Sequence, residues 1–133
     1  MLYLGIYPNI NKSGIAYKQD DDIKLHNLTF FEIYDYLTFV KNNFIDVLVV
    51  IRYKKPNVEK GAFGVTYYQG MNHQNGKLMI DMCKHIDIPY TTVKGPKKRL
   101  KTHDDFIKRT GLTQFKQSNI EQRKAYMLIH NRE

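Results

Sequence analysis

The heptapeptide IDVLVVI, residues 45–51, is the stretch that decides the fold class. It is a nearly continuous apolar run, rich in Val and Ile, and it ends before the breaker sequence Lys54-Lys55-Pro56-Asn57. Runs of this kind are typical of strands that are buried on both faces, as in the middle of a parallel sheet. The chain is therefore predicted to contain a central, fully covered strand.

Upstream of this strand the sequence predicts three short strands and one helix. Residues 2–7, 13–17 and 23–28 are apolar or alternating segments, and turn residues rich in Pro, Asn and Asp separate them. This pattern predicts an antiparallel meander. Thr29 and Glu32 have the spacing of a capping box, so a helix should begin at Thr29, and its apolar periodicity fades at residues 42–43.

Downstream, helical and strand patterns alternate. Residues 71–87 predict a helix, residues 89–93 a strand, and residues 102–110 a short helix that ends at Gly111. Ser118 and Glu121 have capping-box spacing and should start a last helix that runs to about residue 130. Three antiparallel strands followed by two αβ units predict an α/β fold with a mixed five-stranded sheet and helices on both faces.

Length and composition are those of one globular domain spanning residues 1–133. The mass is 15.8 kDa, and 42% of the residues are hydrophobic. Cys83 is the one cysteine, which excludes an intrachain disulfide and a cysteine-rich zinc site. The sequence has no apolar run near the ~20 residues that a membrane span needs, and its start does not resemble a signal peptide. We therefore expect a cytoplasmic protein without a membrane partner.

The net charge of +8 is concentrated in the last forty residues. Residues 1–93 carry ten basic and nine acidic side chains, whereas residues 94–133 carry eleven basic and four acidic ones. A nearly neutral body with a basic C-terminal third indicates a polyanionic partner, most often nucleic acid. The five histidines show no spacing of the HExxH kind, and no cofactor motif is present, so we expect neither a metal nor a cofactor.

Four segments together resemble the RuvC-like Holliday junction resolvases, especially the short forms found in phages. They are LGIYPNINKSGIAY (4–17), LVVIRYKKP (48–56), IPYTTVKGPKKRLK (88–101) and NIEQRKAYMLIHN (119–131). The resemblance implies a ribonuclease H-like fold over almost the whole chain. In that family, acidic residues of the first strand, the fourth strand and the last helix hold Mg²⁺ ions, which activate water and stabilise the leaving oxygen of a phosphodiester.

The matching positions in this chain carry no acid. They are Tyr7, Arg52 and Lys124. Placing a divalent ion ~5 Å from one fixed cation costs roughly 6–7 kcal/mol at an effective dielectric constant of ~20, and Mg²⁺ requires oxygen ligands. We therefore predict an inactive nuclease site. Glu121, the nearest acid in the last helix, is assigned to the capping box.

The favoured function is a non-catalytic homologue of the resolvases that binds branched or structured DNA. Arg52 and Lys124 would pair with a phosphate in place of the metal ions, and neighbouring cations would extend the surface. The predicted nucleic-acid-binding residues are Arg52, Lys54, Lys55, Lys94, Lys97, Lys98, Arg99, Lys101 and Lys124.

Two alternatives stay open. The fold could serve as a protein-binding or inhibitory module, for example a phage factor that targets a host protein, or it could form a homodimer. The aromatic patch favoured for such contacts is Phe63, Tyr67, Tyr68 and Met71. The other alternative is an active metal-dependent junction endonuclease with an atypical site.

Overall fold

The computed structural model describes residues 1–54, 67–95 and 100–132, and it describes residues 67–73 by their backbone alone. The element order is the predicted one. The elements are β1 (Leu2–Tyr7), β2 (Ser13–Gln19), β3 (Asp22–Leu28), α1 (Phe30–Asn43), β4 (Val47–Arg52), α2 (Tyr67–Ile86), β5 (Tyr90–Val93), α3 (His103–Thr110) and α4 (Ile120–Met127).

The five strands form one mixed sheet in the order β3-β2-β1-β4-β5. The first three strands pair antiparallel, and β4 runs parallel to both β1 and β5. The predicted α/β architecture is confirmed, and β4 is the covered inner strand that the IDVLVVI run indicated. Within β4, the adjacent residues Val49 and Val50 are both fully buried. Val49 belongs to the core on one face of the sheet, and Val50 belongs to the core on the other face.

Helices cover both faces of this sheet. One core lies between the sheet and helices α1 and α2, and it includes Ile33, Leu37 and Met79. The other lies under α3 and α4, where Phe106 and Ile129 are fully buried. None of the helices described is long and apolar enough to cross a membrane.

The cap of α1 is confirmed, whereas the predicted cap of α4 is wrong. At α1, the Glu32 amide donates to Thr29 Oγ1 at 3.3 Å, and the Thr29 amide donates to Glu32 Oε1 at 2.9 Å. At α4 the capping box is formed by Asn119 and Gln122 instead of Ser118 and Glu121. Ser118 is not free to cap because the buried Arg123 and His103 hydrogen-bond to it. The helix therefore starts one residue later, and the Glu121 carboxylate is left out of the cap.

Two glycines let the backbone of α4 contact the sheet directly. A Cβ atom at Gly5 would lie 2.3 Å from the carbonyl oxygen of Ala125, and a Cβ atom at Gly14 would lie 2.1 Å from that of Glu121. Both distances are far below contact distance with backbone atoms, which cannot rotate away. Because Gly14 pairs with Tyr7 across the β1–β2 ladder, α4 begins at the carboxyl end of β1.

We expect Gly14→Ala to destabilise the fold by about 2–3 kcal/mol or more, because α4 must shift away from β2 to admit the methyl group. Gly111→Ala is the matched control. Gly111 has a positive φ of 74° but no atom within 4 Å of its missing Cβ, so only local backbone strain of about 1 kcal/mol is expected there. Urea unfolding of the two variants measures the difference. Equal losses of stability would contradict a direct contact between α4 and the sheet.

Candidate functional site

The positions Tyr7, Arg52 and Lys124 come together at one edge of the sheet. Tyr7 ends β1 and Arg52 ends β4, and these parallel strands are in register because Ile6 pairs with Ile51. Ile6 and Ile51 belong to the core under α1 and α2, so the next residues along each strand face α4. Lys124 lies on α4, one residue before Ala125, which contacts Gly5.

Both cations lie over the ring of Tyr7. The Arg52 Cζ atom is 5.4 Å from the ring centroid, and the Lys124 Nζ atom is 4.8 Å from it. Cation–π contacts at partly exposed positions contribute about 0.5–1 kcal/mol each, which helps to offset the repulsion between two like charges held near one ring. The three side chains are half-buried, so part of each is accessible to solvent at the end of the sheet.

In the part of the chain that the structure describes, no carboxylate lies within 4.0 Å of either cation. Among the described residues, the ion pairs within 4.0 Å are Lys24–Asp22 and Lys41–Asp87, and neither involves Arg52 or Lys124. The same residues contain no cluster of three or more His, Cys, Asp or Glu side chains that could hold a metal ion. The arrangement suits an anion with several acceptor oxygens, such as a phosphate.

Glu121 is an acidic neighbour of this edge and does not belong to the helix cap, contrary to the prediction from its spacing. Asn9, in the turn between β1 and β2, donates from Nδ2 to Glu121 Oε1 at 3.3 Å. The carboxylate therefore links the start of α4 to that turn. Glu121 lies three residues before Lys124, so the two residues share one helix face. This spacing is the sequence signal that places Glu121 near Lys124.

Only some of the other predicted binding residues lie in the part of the chain that the structure describes. Lys54, Lys94 and Lys101 are exposed. Lys94 directly follows Val93, which pairs with Arg52, so it lies at the same edge, and Lys54 follows Arg52 by two residues. We call Tyr7, Arg52, Lys54, Lys94 and Lys124 the basic edge.

Some predictions fall outside the described residues. They concern the cations Lys55, Lys97, Lys98 and Arg99 and the side chains of the aromatic patch at Phe63, Tyr67, Tyr68 and Met71.

Arg123 is a buried cation that the sequence analysis missed, and it anchors the chain segment that carries Lys101. Its side chain is 7% exposed. The guanidinium donates from Nε to the carbonyl of Leu100 at 2.9 Å, from Nη2 to that of Lys101 at 3.0 Å, and from Nη1 to Ser118. These bonds tie residues 100–101 to α4, next to Lys124. No motif in the local sequence distinguishes Arg123 from the neighbouring Lys124.

Arg123→Lys should lower the free energy of unfolding by about 2–4 kcal/mol, because one ammonium group cannot reach every carbonyl that the planar guanidinium fork holds, and buried carbonyls are left without donors. The matched control is Arg109→Lys on α3, where the side chain is exposed. Chemical denaturation followed by circular dichroism compares the two. If both variants were as stable as the wild type, the hydrogen-bonded role of Arg123 would be wrong.

The burial of Cys83 and the hydrogen bonds of His103 indicate that both residues stabilise the fold. Cys83 is fully buried, as predicted, and burial raises the pKa of its thiol to about 12, so almost no thiolate exists at neutral pH. His103 Nδ1 lies 2.8 Å from Ser118 Oγ and Nε2 lies 3.1 Å from the carbonyl oxygen of Phe115, which fixes the segment between α3 and α4.

An apolar groove lies on the opposite side of the sheet, between α1 and α2. Its volume is about 440 Å³, and Phe31, at its rim, is 78% exposed. The lining residues are Phe30, Phe31, Tyr34, Leu78, Asp81, Met82 and His85. Within the described part of the chain, this groove is an exposed apolar surface that a protein partner could cover.

Comparison with known proteins identifies the fold. No family model matches the chain, and no curated protein matches its sequence. Among solved structures, the chain is similar to T. thermophilus RuvC in complex with a Holliday junction substrate, with a TM-score of 0.55 and 16% sequence identity over 98% of this chain and 90% of that one. At this identity the similarity concerns the fold. The chain therefore has the RuvC-type, ribonuclease H-like fold that its sequence predicted.

Proposed function

We propose that this protein binds branched or structured DNA through the basic edge and does not cleave it. The observation that carries the proposal is the convergence of Arg52 and Lys124 on Tyr7, with no carboxylate within 4.0 Å of either cation among the described residues. The fold likeness to a protein solved with a Holliday junction supports the choice of a branched substrate.

Phosphate binding at this edge uses the different geometries of the two cations. The planar guanidinium of Arg52 can donate two parallel hydrogen bonds to phosphate oxygens, and the Lys124 ammonium supplies a mobile point charge. Lys54 and Lys94 lie at the same edge and would contact the flanking phosphates. The ring of Tyr7 lies under both cations and keeps them at this edge.

The same arrangement opposes cleavage. Two-metal phosphodiester hydrolysis depends on carboxylates that hold divalent ions beside the attacked phosphate. Here the converging positions are an aromatic ring and two cations, and a divalent ion would be repelled by both cations. The phosphate would thus be bound directly by the protein, with no metal ion between them.

The apolar groove between α1 and α2 is the observation that favours a second candidate, a protein-binding module. One pair of experiments discriminates between the two functions. Failure to shift junction DNA at low salt, together with recovery of one stoichiometric protein in a pull-down free of nucleic acid, would replace the first proposal by the second.

We expect the affinity for junction DNA to fall steeply with salt, and the double variant Arg52→Gln/Lys124→Gln to reduce the slope of log K against log [salt] by about 2. The control is Lys77→Gln/Lys84→Gln on α2, which changes the net charge equally at exposed positions on the other side of the sheet. Gel-shift titrations at several salt concentrations give the slopes. Equal slopes for the two double variants would indicate binding by overall charge and would contradict the assigned edge.

We expect no cleavage of an end-labelled junction in Mg²⁺ or Mn²⁺. The triple variant Tyr7→Asp/Arg52→Glu/Lys124→Asp should gain a divalent-ion site, because three carboxylates would then converge, and its unfolding temperature should rise when Mn²⁺ is added. The wild-type protein should show no such rise. Metal-dependent cleavage by the wild type, abolished by EDTA, would establish the third alternative of an active nuclease with an atypical site.

A further inference from the structure

A second recess lies beside α4, on the far side of that helix from Tyr7. It has a volume of about 480 Å³ between β3 and the segment that joins α3 to α4. Its lining residues are Leu25, Asn27, Phe115, Gln117, Ser118, Asn119 and Gln122. Every one of these side chains is uncharged and four of them are amides, so we call this recess the amide groove.

The walls of the amide groove are fixed by hydrogen bonds between amides. Asn119 Nδ2 donates to Asn27 Oδ1, and Asn27 Nδ2 donates back to Asn119 Oδ1 at 3.3 Å. Gln122 Oε1 accepts from the backbone amide of Asn119 at 3.1 Å. Among the described residues, the Gln122 side-chain nitrogen and the amide of the exposed Gln117 side chain have no hydrogen-bond partner. The groove therefore offers unused amide donors and acceptors beside the hydrogen-bonded pair of Asn27 and Asn119.

The amide groove and the basic edge share one face and one end of the sheet. Tyr7 pairs with Gly14 on β2, and Gly14 pairs with Asn27 on β3, so the three residues form a row across the strands. Two strand spacings of about 4.8 Å place Asn27 roughly 10 Å from Tyr7, the rise of about three stacked nucleotides. The start of α4 lies over Gly14 between them, with Lys124 reaching to one side and Gln122 to the other.

We propose that the amide groove binds one unpaired nucleobase of a DNA strand whose phosphates lie on the basic edge. The inference rests on the proposed DNA-binding function and names the feature of the DNA that is recognised. Side-chain amides donate hydrogen bonds to base edges and accept hydrogen bonds from them. The Phe115 ring and the Leu25 side chain suit the flat apolar surface of a base. A base in a duplex already has its pairing edge occupied, so the groove selects an unpaired or extruded one.

The lining favours a base over the other parts of a nucleic acid. A phosphate would be drawn to the cations of the basic edge, because the groove offers no charge to pair with it. Stacking on an aromatic side chain contributes in a sequence-tolerant way. The groove therefore adds a preference for local DNA structure to an interaction that is otherwise electrostatic.

The test compares two four-way junctions that differ by one unpaired nucleotide at the crossover. We expect the wild-type protein to bind the junction with the unpaired nucleotide about tenfold more tightly. Phe115→Ala/Gln117→Ala should lose this preference while it binds the fully paired junction as the wild type does, with the same salt slope. The control Phe39→Ala/Gln74→Ala removes the same residue types from exposed positions on α1 and α2 and should keep the preference.

The outcomes separate this inference from the proposed function. Equal affinity of the wild type for both junctions would overturn the inference and leave the DNA-binding proposal standing, whereas no binding to either junction would overturn both. Phe115 is half-buried, so the single variant Gln117→Ala, whose side chain is exposed, replaces the double variant if the latter does not fold. An unchanged preference in a folded groove variant would also overturn the inference.

Discussion

The contact of the α4 backbone with Gly5 and Gly14 is the constraint on which the rest of this structure depends. A side chain at either position would hold the helix away from β1 and β2. Because the helix lies directly on the strands, its first turn reaches the carboxyl end of β1, and Lys124 can extend over the Tyr7 ring. The same contact sets the distance from α4 to β3 and thereby the width of the amide groove.

Arg123 connects α4 to the chain segment that follows β5. Its guanidinium bonds to the carbonyls of Leu100 and Lys101, so the segment after β5 is fixed relative to α4 and not only to the sheet. Among the described residues no carboxylate forms an ion pair with Arg123, and a buried guanidinium is costly unless its hydrogen bonds are satisfied. Here backbone carbonyls accept those hydrogen bonds. The interior thus adds positive charge beneath a surface that is already basic.

The fold followed from local patterns, and the errors lay where tertiary contacts compete with them. The IDVLVVI run predicted a covered strand because burial on both faces requires apolar residues at every position. The cap of α4 was predicted wrongly because Ser118 is hydrogen-bonded to Arg123 and His103, which the spacing rule does not consider. Tyr7, Arg52 and Lys124 were predicted through the family resemblance. Their cation–π contacts and the hydrogen bonds of Arg123 depend on residues far apart in the sequence, so only the three-dimensional structure shows them.

The ring of Tyr7 has a consequence for the conformational entropy of the two cations beside it. Long cationic side chains on a protein surface normally sample many rotamers, and immobilising each one costs about 0.5–1.5 kcal/mol when a partner binds. Arg52 and Lys124 already rest on an aromatic face before any partner arrives. Part of that entropy has already been lost during folding, so ordering these two side chains would cost less free energy if an anion bound between them.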